Sequence, residues 1–159
     1  MIFYRSLRNP GGKPRSLATI RGLAILTLAA YPAGALMRVF LGDDLAVKAV
    51  GLVLVVASLV GLALLAGTRL NRITGEQPGQ LDEYERNLRA SAMETAFQLF
   101  TALVLLGVIY IAIASDHGWW VPRGYDEWNG VFWGAFLYSL TLPTAVLAFR
   151  LRDEDEEGA

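Results

Sequence analysis

Glu94 is the residue of this sequence whose type and place most suggest chemistry. It lies just before the apolar run 96–114, and Gln98 follows at a spacing that puts both side chains on one helix face. Carboxylates in apolar segments are costly and often mark proton or ion paths. The other interpretation puts Glu94 at the depth of the lipid headgroups, paired with Arg21, which borders the first apolar run. We favour this second interpretation because acids near helix ends can reach water.

Cysteine and histidine chemistry is sparse in this chain. It has no cysteine and one histidine, His117, which excludes disulfides, thiolate metal sites and cysteine nucleophiles. One imidazole is too few for a bis-histidine haem or a conventional zinc site. We therefore expect no catalytic residue, no metal site and no cofactor, and an enzyme is the least favoured class.

The elements that would position Glu94 are four apolar runs, each close to the roughly 20 residues that a helix needs to cross about 30 Å of hydrocarbon. They cover about 22–41, 45–67, 95–115 and 129–149. The 159 residues are 54% hydrophobic and 18% charged, and their mean hydropathy is +0.40; soluble domains are usually more charged. The sequence predicts an all-α membrane protein, an antiparallel bundle of four transmembrane helices, as a single domain over residues 1–152.

The start of the chain also has features of a signal peptide. A basic segment and an apolar stretch are followed by Ala33-Gly34-Ala35, which is similar to a signal-peptidase site. The apolar stretch nevertheless continues to Leu41. We therefore expect the first run to be retained as a span.

The positions of lysine and arginine predict the orientation. Of the 14 basic residues, all but Arg38, Lys48 and Arg123 lie before the first span, between the second and third, or after the fourth. By the positive-inside rule these segments face the cytoplasm. The sequence thus predicts an inner-membrane protein with a cytoplasmic N-terminus and a cytoplasmic C-terminus.

The connection after the second span predicts a long third helix. Residues 74–79 contain two glycines and a proline, which break a helix, and a helical pattern then runs without interruption from Leu81 to Ser115. Such a helix would be about 52 Å long, so its first turns should extend into the cytoplasm. The apolar stripe of this extension, between Leu81 and Ala92, would either dock a protein partner or pack on the protein's own loop or on headgroups; the second interpretation is favoured, as for an amphipathic interfacial segment.

A resemblance is carried by the same segment. Residues 81–90 read LDEYERNLRA, which resembles the D-E-x-E-R segment before a membrane helix in groups of uncharacterised small bacterial four-span membrane proteins. The resemblance covers about a dozen residues and the four-span layout. It implies a bacterial inner-membrane protein without an established activity.

Short loops and small residues predict how the spans pack. Gly42 and the N-cap candidates Asp43 and Asp44 predict a tight hairpin of the first two spans. Small residues four apart allow close helix approach in lipid. Such pairs are Gly130 with Gly134 in the fourth span and Ala57 with Gly61 in the second.

The outer loop and the tail hold the remaining candidates. Tryptophan and tyrosine concentrate at membrane interfaces, so we interpret the loop aromatics as an interfacial belt rather than a binding pocket. These are Trp119, Trp120, Tyr125, Trp128 and Trp133. The acidic tail, residues 153–159, is predicted to be disordered and solvated.

Two classes of function stay open. The favoured one is a small accessory or regulatory membrane protein that acts through protein contacts. The alternative is a subunit of an oligomeric transporter or channel with Glu94 and Gln98 on the path. Besides the lipid bilayer, a protein at the 81–92 extension is the expected partner; the net charge of −1 gives no reason to expect nucleic acid, and the oligomeric state stays open.

Overall fold

The computed structural model of this chain describes residues 16–41, 44–75, 81 and 83–151. Within these ranges the chain forms helices and no strand. The helices are α1 (Leu17–Phe40), α2 (Leu45–Ala66), α3 (Arg69–Gly75), α4 (Glu83–His117) and α5 (Gly124–Arg150). By length and composition, α1, α2, α4 and α5 could each cross a membrane. The all-α class and the four long apolar helices expected from the sequence are confirmed.

Some sequence predictions concern residues outside the described ranges. They are the basic segment before Ser16, the caps at Gly42 and Asp43, the break at 76–80 and the acidic tail 153–159.

Local capping explains where the first two helices begin. The Ser16 hydroxyl accepts a hydrogen bond from the Thr19 amide at 3.3 Å, so α1 begins before the apolar run expected from residue 22. The Asp44 carboxylate accepts one from the Ala46 amide at 2.8 Å. Side chains that satisfy these free amides stabilise a helix by about 1 kcal/mol.

The long helices pack in the order α2, α1, α5, α4, and neighbours run antiparallel. The hairpin of α1 and α2 is as tight as expected: a Cβ on Gly34 would lie 2.5 Å from the Gly51 carbonyl oxygen. The short helix α3, which the sequence did not predict, packs on both α4 and α5. Its Leu70 and Ile73 are buried in the main core.

That core lies where α1 begins and α5 ends, which we call the Arg150 end; the opposite end is the Trp120 end. The buried core residues are Leu17, Ile20, Ala24, Leu65, Leu70, Ile73, Ala92, Ala145, Leu147 and Ala148. Helix α4 contributes little to it. Residues 102–110 of α4 are exposed around the whole circumference of the helix.

Candidate functional site

Two tyrosines join α1 and α5 reciprocally. The Tyr31 hydroxyl of α1 donates to the Gly130 carbonyl at 2.7 Å, and the Tyr31 ring covers Gly134, where a Cβ would lie 2.9 Å from the ring. The Tyr138 hydroxyl of α5 donates to the Leu28 carbonyl at 2.6 Å. Tyr31 therefore contacts both glycines of the predicted packing pair. It hydrogen-bonds to Gly130, and its ring packs on Gly134.

The hairpin of α1 and α2 uses a different set of small residues. Gly34 and Gly51 let the two backbones meet, a contact that the spacing of small residues in the sequence did not predict. Gly61 is buried against Thr27, whose hydroxyl a Cβ at position 61 would strike. Ala57, its predicted companion, is only half-buried.

Two arginines hold the Arg150 end together. Arg21 of α1 donates to the carbonyls of Ala148 at 2.9 Å and Leu151 at 2.6 Å, and a cation suits these unpaired carbonyls at a helix C-terminus. Arg150 of α5 donates to Thr95 of α4 at 2.6 Å and to Ser91. Arg21 thus joins α1 to α5, and Arg150 joins α5 to α4.

Glu94 and Gln98 lie on the outer surface of α4, and both are exposed. Among the hydrogen bonds and ion pairs of the described residues, none involves the Glu94 carboxylate. Arg21, its expected partner, contacts the end of α5 instead. Because Arg150 reaches Thr95, the residue next to Glu94, the carboxylate lies at the same level as the last turn of α5.

A buried polar cluster lies between α3 and α5. The Thr144 hydroxyl donates to the Asn71 side-chain oxygen at 3.1 Å and lies 3.3 Å from the Thr74 hydroxyl. The Asn71 amide donates to the Ala66 carbonyl at 3.2 Å, while Thr68 caps α3 by accepting from the Asn71 backbone amide at 3.3 Å. These hydroxyls and the amide bond to backbone carbonyls or to one another, so the cluster fastens α3 rather than activating a nucleophile.

A small cavity adjoins this cluster. It has a volume of about 150 Å³ and is lined in part by Asn71, Thr74 and Pro143. A second cavity of about 160 Å³ shares Met93, Ser139 and Pro143 with it and has an almost wholly apolar lining. Neither is lined by an acidic or basic side chain, so neither has the charged groups that acid–base chemistry needs.

The predicted interfacial aromatics gather partly at the Trp120 end. The Trp120 ring packs on Phe40, with centroids 5.3 Å apart, and its carbonyl accepts from the Tyr110 hydroxyl at 2.9 Å. Trp119, Tyr125 and Trp128 are exposed. Trp133 lies further along α5, where its ring makes edge contacts with Phe132 and Phe136.

The apolar stripe of the α4 extension is covered mainly by the chain itself. Leu81 and Ala92 are buried, Leu88 packs on the main core, and Tyr84 is 62% exposed. The apolar stripe, predicted either to dock a partner or to pack on the protein's own loop or on headgroups, thus lies largely against the protein's own core.

The described residues contain no cluster of side chains suited to bind a metal ion. Within them, no three histidine, cysteine, aspartate or glutamate side chains come together in a way that could hold one. His117 makes a local contact, with Nδ1 2.9 Å from the Ile113 carbonyl. What remains chemically distinctive is the outward polar face of α4 beside Arg150.

Sequence reasoning did not identify the contacts of Arg150, Thr144 and Asn71. A partial signal was present, since threonine and asparagine within or beside apolar runs must find hydrogen-bond partners. Which partner each one finds depends on helix order and register.

Comparison with protein-family models, with curated proteins and with solved structures finds no match to this chain.

Proposed function

We propose that this chain is a multipass membrane protein that acts as an accessory or regulatory subunit through contacts of α4 with other membrane proteins. The observation that carries the proposal is the outward position of Glu94 and Gln98. Polar side chains inside a membrane normally face protein or water rather than lipid. Gln98 is the deeper of the two residues, and its outward position is therefore suited to contact with another protein rather than with lipid.

The interior of the protein supports the same role. The two tyrosine contacts and the Thr144 cluster use polar groups to join helices. Such interhelical hydrogen bonds stabilise packing in lipid. The interior therefore serves as a scaffold, and the polar face of α4 is left as the interaction surface.

The proposed orientation places the Arg150 end in the cytoplasm of an inner membrane. Arg21 and Arg150 lie at that end, as positive-inside insertion requires. At this depth Glu94 would lie near the headgroups, and Gln98 would lie about 6 Å deeper at 1.5 Å per residue.

Photo-cross-linking in the native membrane tests the proposal. A photoreactive residue at Leu105, two turns beyond Gln98 on the same face, should form adducts with a polypeptide. Val53 of α2 is a matched control, since the side chains are 57% and 66% exposed. Adducts with lipid alone at both positions would overturn the accessory role.

An oligomeric transporter or channel is the second candidate. The exposure of Glu94 and Gln98 favours a path formed between several copies over one inside a single chain. Proton or ion flux in reconstituted vesicles that Glu94→Gln abolishes would support it. Vesicles without flux above the lipid background would exclude it.

A further inference from the structure

The polar face of α4 is broader than the pair of residues considered so far. Ser91, Glu94, Thr95 and Gln98 are spaced at i, i+3, i+4 and i+7, which places them on one face of the helix. Leu105 continues the same face toward the middle of α4. We call residues 91, 94, 95 and 98 the polar stripe.

The stripe faces away from the protein's own core. Ala92 and Ala96 are the buried residues in this part of α4. At 3.6 residues per turn, the centre of the stripe lies roughly 130° around the helix from them. Only Arg150 reaches the stripe from α5, through Ser91 and Thr95, among the hydrogen bonds of the described residues.

The charges on this surface are complementary to each other. Arg150 donates to two hydroxyls on the stripe and to no carboxylate among the described residues. Glu94 lies at the same level, also without an ion pair in the described part of the chain. One surface therefore carries an acid and a base at the same level, and neither makes an ion pair within the described part of the chain.

A second copy of the chain is the partner that this arrangement fits. We propose that two copies pair through their polar stripes about a two-fold axis, with Glu94 of each chain against Arg150 of the other. In a two-fold dimer the same patch contacts itself. Two copies inserted with the same orientation keep equivalent residues at equal depth, so the two Gln98 side chains meet near the axis. The proposed pairing rests on the proposed function and identifies a second copy of the chain as a partner of α4.

Disulfide cross-linking in membranes tests the pairing. The chain has no native cysteine, so the Gln98→Cys variant contains a single thiol. Oxidation at low protein density should give a species of twice the 17.4 kDa chain mass. Val104→Cys is the control, because Val104 is 43% exposed on another face of α4. Equal dimer yields at both positions, or no dimer at Gln98→Cys, would overturn the proposal.

Charge reversal tests the specific contact. In the Gln98→Cys background, Glu94→Arg and Arg150→Glu should each lower the dimer yield by about tenfold, as loss of a paired charge does at interfaces. The double variant should restore it, because the opposite charges face each other again. Single variants that leave the yield unchanged, or a double variant without recovery although tryptophan fluorescence shows it folded, would contradict the contact. Loss of self-pairing together with adducts to other polypeptides at Leu105 would refute the dimer and leave the accessory role intact.

Discussion

The hydroxyl of Tyr138 on α5 donates to the carbonyl of Leu28 on α1, at 2.6 Å. Leu28 precedes Pro32 by four residues, and proline has no N–H to donate to the carbonyl one turn earlier. In lipid, such a carbonyl has no water to bind and needs a partner from within the protein. Tyr138 is that partner, so a side chain of α5 completes the hydrogen bonding of α1.

Removing this donor should destabilise the protein. Tyr138→Phe keeps the ring and leaves the Leu28 carbonyl unpaired, at an expected cost of about 1 kcal/mol in unfolding free energy. The measurement is denaturant unfolding in detergent micelles, followed by tryptophan fluorescence.

A double-mutant cycle isolates the role of Pro32. Pro32→Ala restores a backbone N–H that can bind the Leu28 carbonyl, so Tyr138→Phe should cost less in that background. Equal costs in the two backgrounds would show that the tyrosine contact is independent of the proline.

Gly134 should be far less tolerant of substitution than Gly130. An alanine Cβ at position 134 would lie 2.9 Å from the Tyr31 ring, whereas one at position 130 would have no atom within 4 Å. We expect Gly134→Ala to lose about 1–3 kcal/mol through overpacking, and Gly130→Ala to gain up to about 1 kcal/mol from helix propensity. Because both positions lie in α5, equal melting temperatures of the two variants would contradict this contact.

The α1–α2 crossing gives a second glycine test, with a matched control in the same helix. A Cβ on Gly34 would lie 2.5 Å from the Gly51 carbonyl oxygen, and one on Gly22 would have open space around it. A backbone atom cannot rotate away as a side chain can, so Gly34→Ala should cost about 2 kcal/mol or more. Thermal unfolding in detergent compares the two variants, and a Gly34→Ala protein as stable as Gly22→Ala would refute the close crossing.

The four long helices were predictable because an apolar run of membrane length is a local property of the chain. The contact of Gly34 with Gly51 was not, since it depends on how α1 and α2 are aligned. Helix α3 was missed for a similar reason. Only Leu70 and Ile73 mark it as apolar, and both are buried against other helices.

The candidate site was likewise predictable where it depends on local spacing and unpredictable where it depends on helix packing. The sequence placed Glu94 and Gln98 on one face of a helix, which follows from their spacing alone. It paired Glu94 with Arg21 by depth, but depth does not determine which helices are neighbours. With α5 between α1 and α4 in the packing order, Arg21 meets the end of α5 and Arg150 reaches α4.

The proposed orientation is testable with two introduced cysteines at exposed positions. Glu83 begins α4 at the Arg150 end, and Tyr125, which is 81% exposed, lies in the first turn of α5 at the Trp120 end. An impermeant maleimide added to intact cells, with any outer membrane permeabilised, should label Tyr125→Cys and spare Glu83→Cys. The reverse labelling would invert the orientation, and lysed cells serve as the control for accessibility.

Substitutions of Arg21 and of Glu94, the pair predicted from the sequence, should have very different effects on the unfolding free energy. Arg21 donates two hydrogen bonds to carbonyls at the end of α5, and hydrogen bonds from charged groups are worth more than neutral ones. Arg21→Met, which keeps most of the side-chain length, should therefore lower the unfolding free energy by about 2 kcal/mol. Glu94→Gln keeps its shape and should leave monomer stability unchanged within error, because its carboxylate is exposed. Both variants are unfolded in detergent at a concentration where light scattering shows monomers, so that contacts between copies do not contribute. A large loss of stability in the Glu94→Gln monomer would mean that the carboxylate supports the fold of a single chain, and would count against its role at an outer surface.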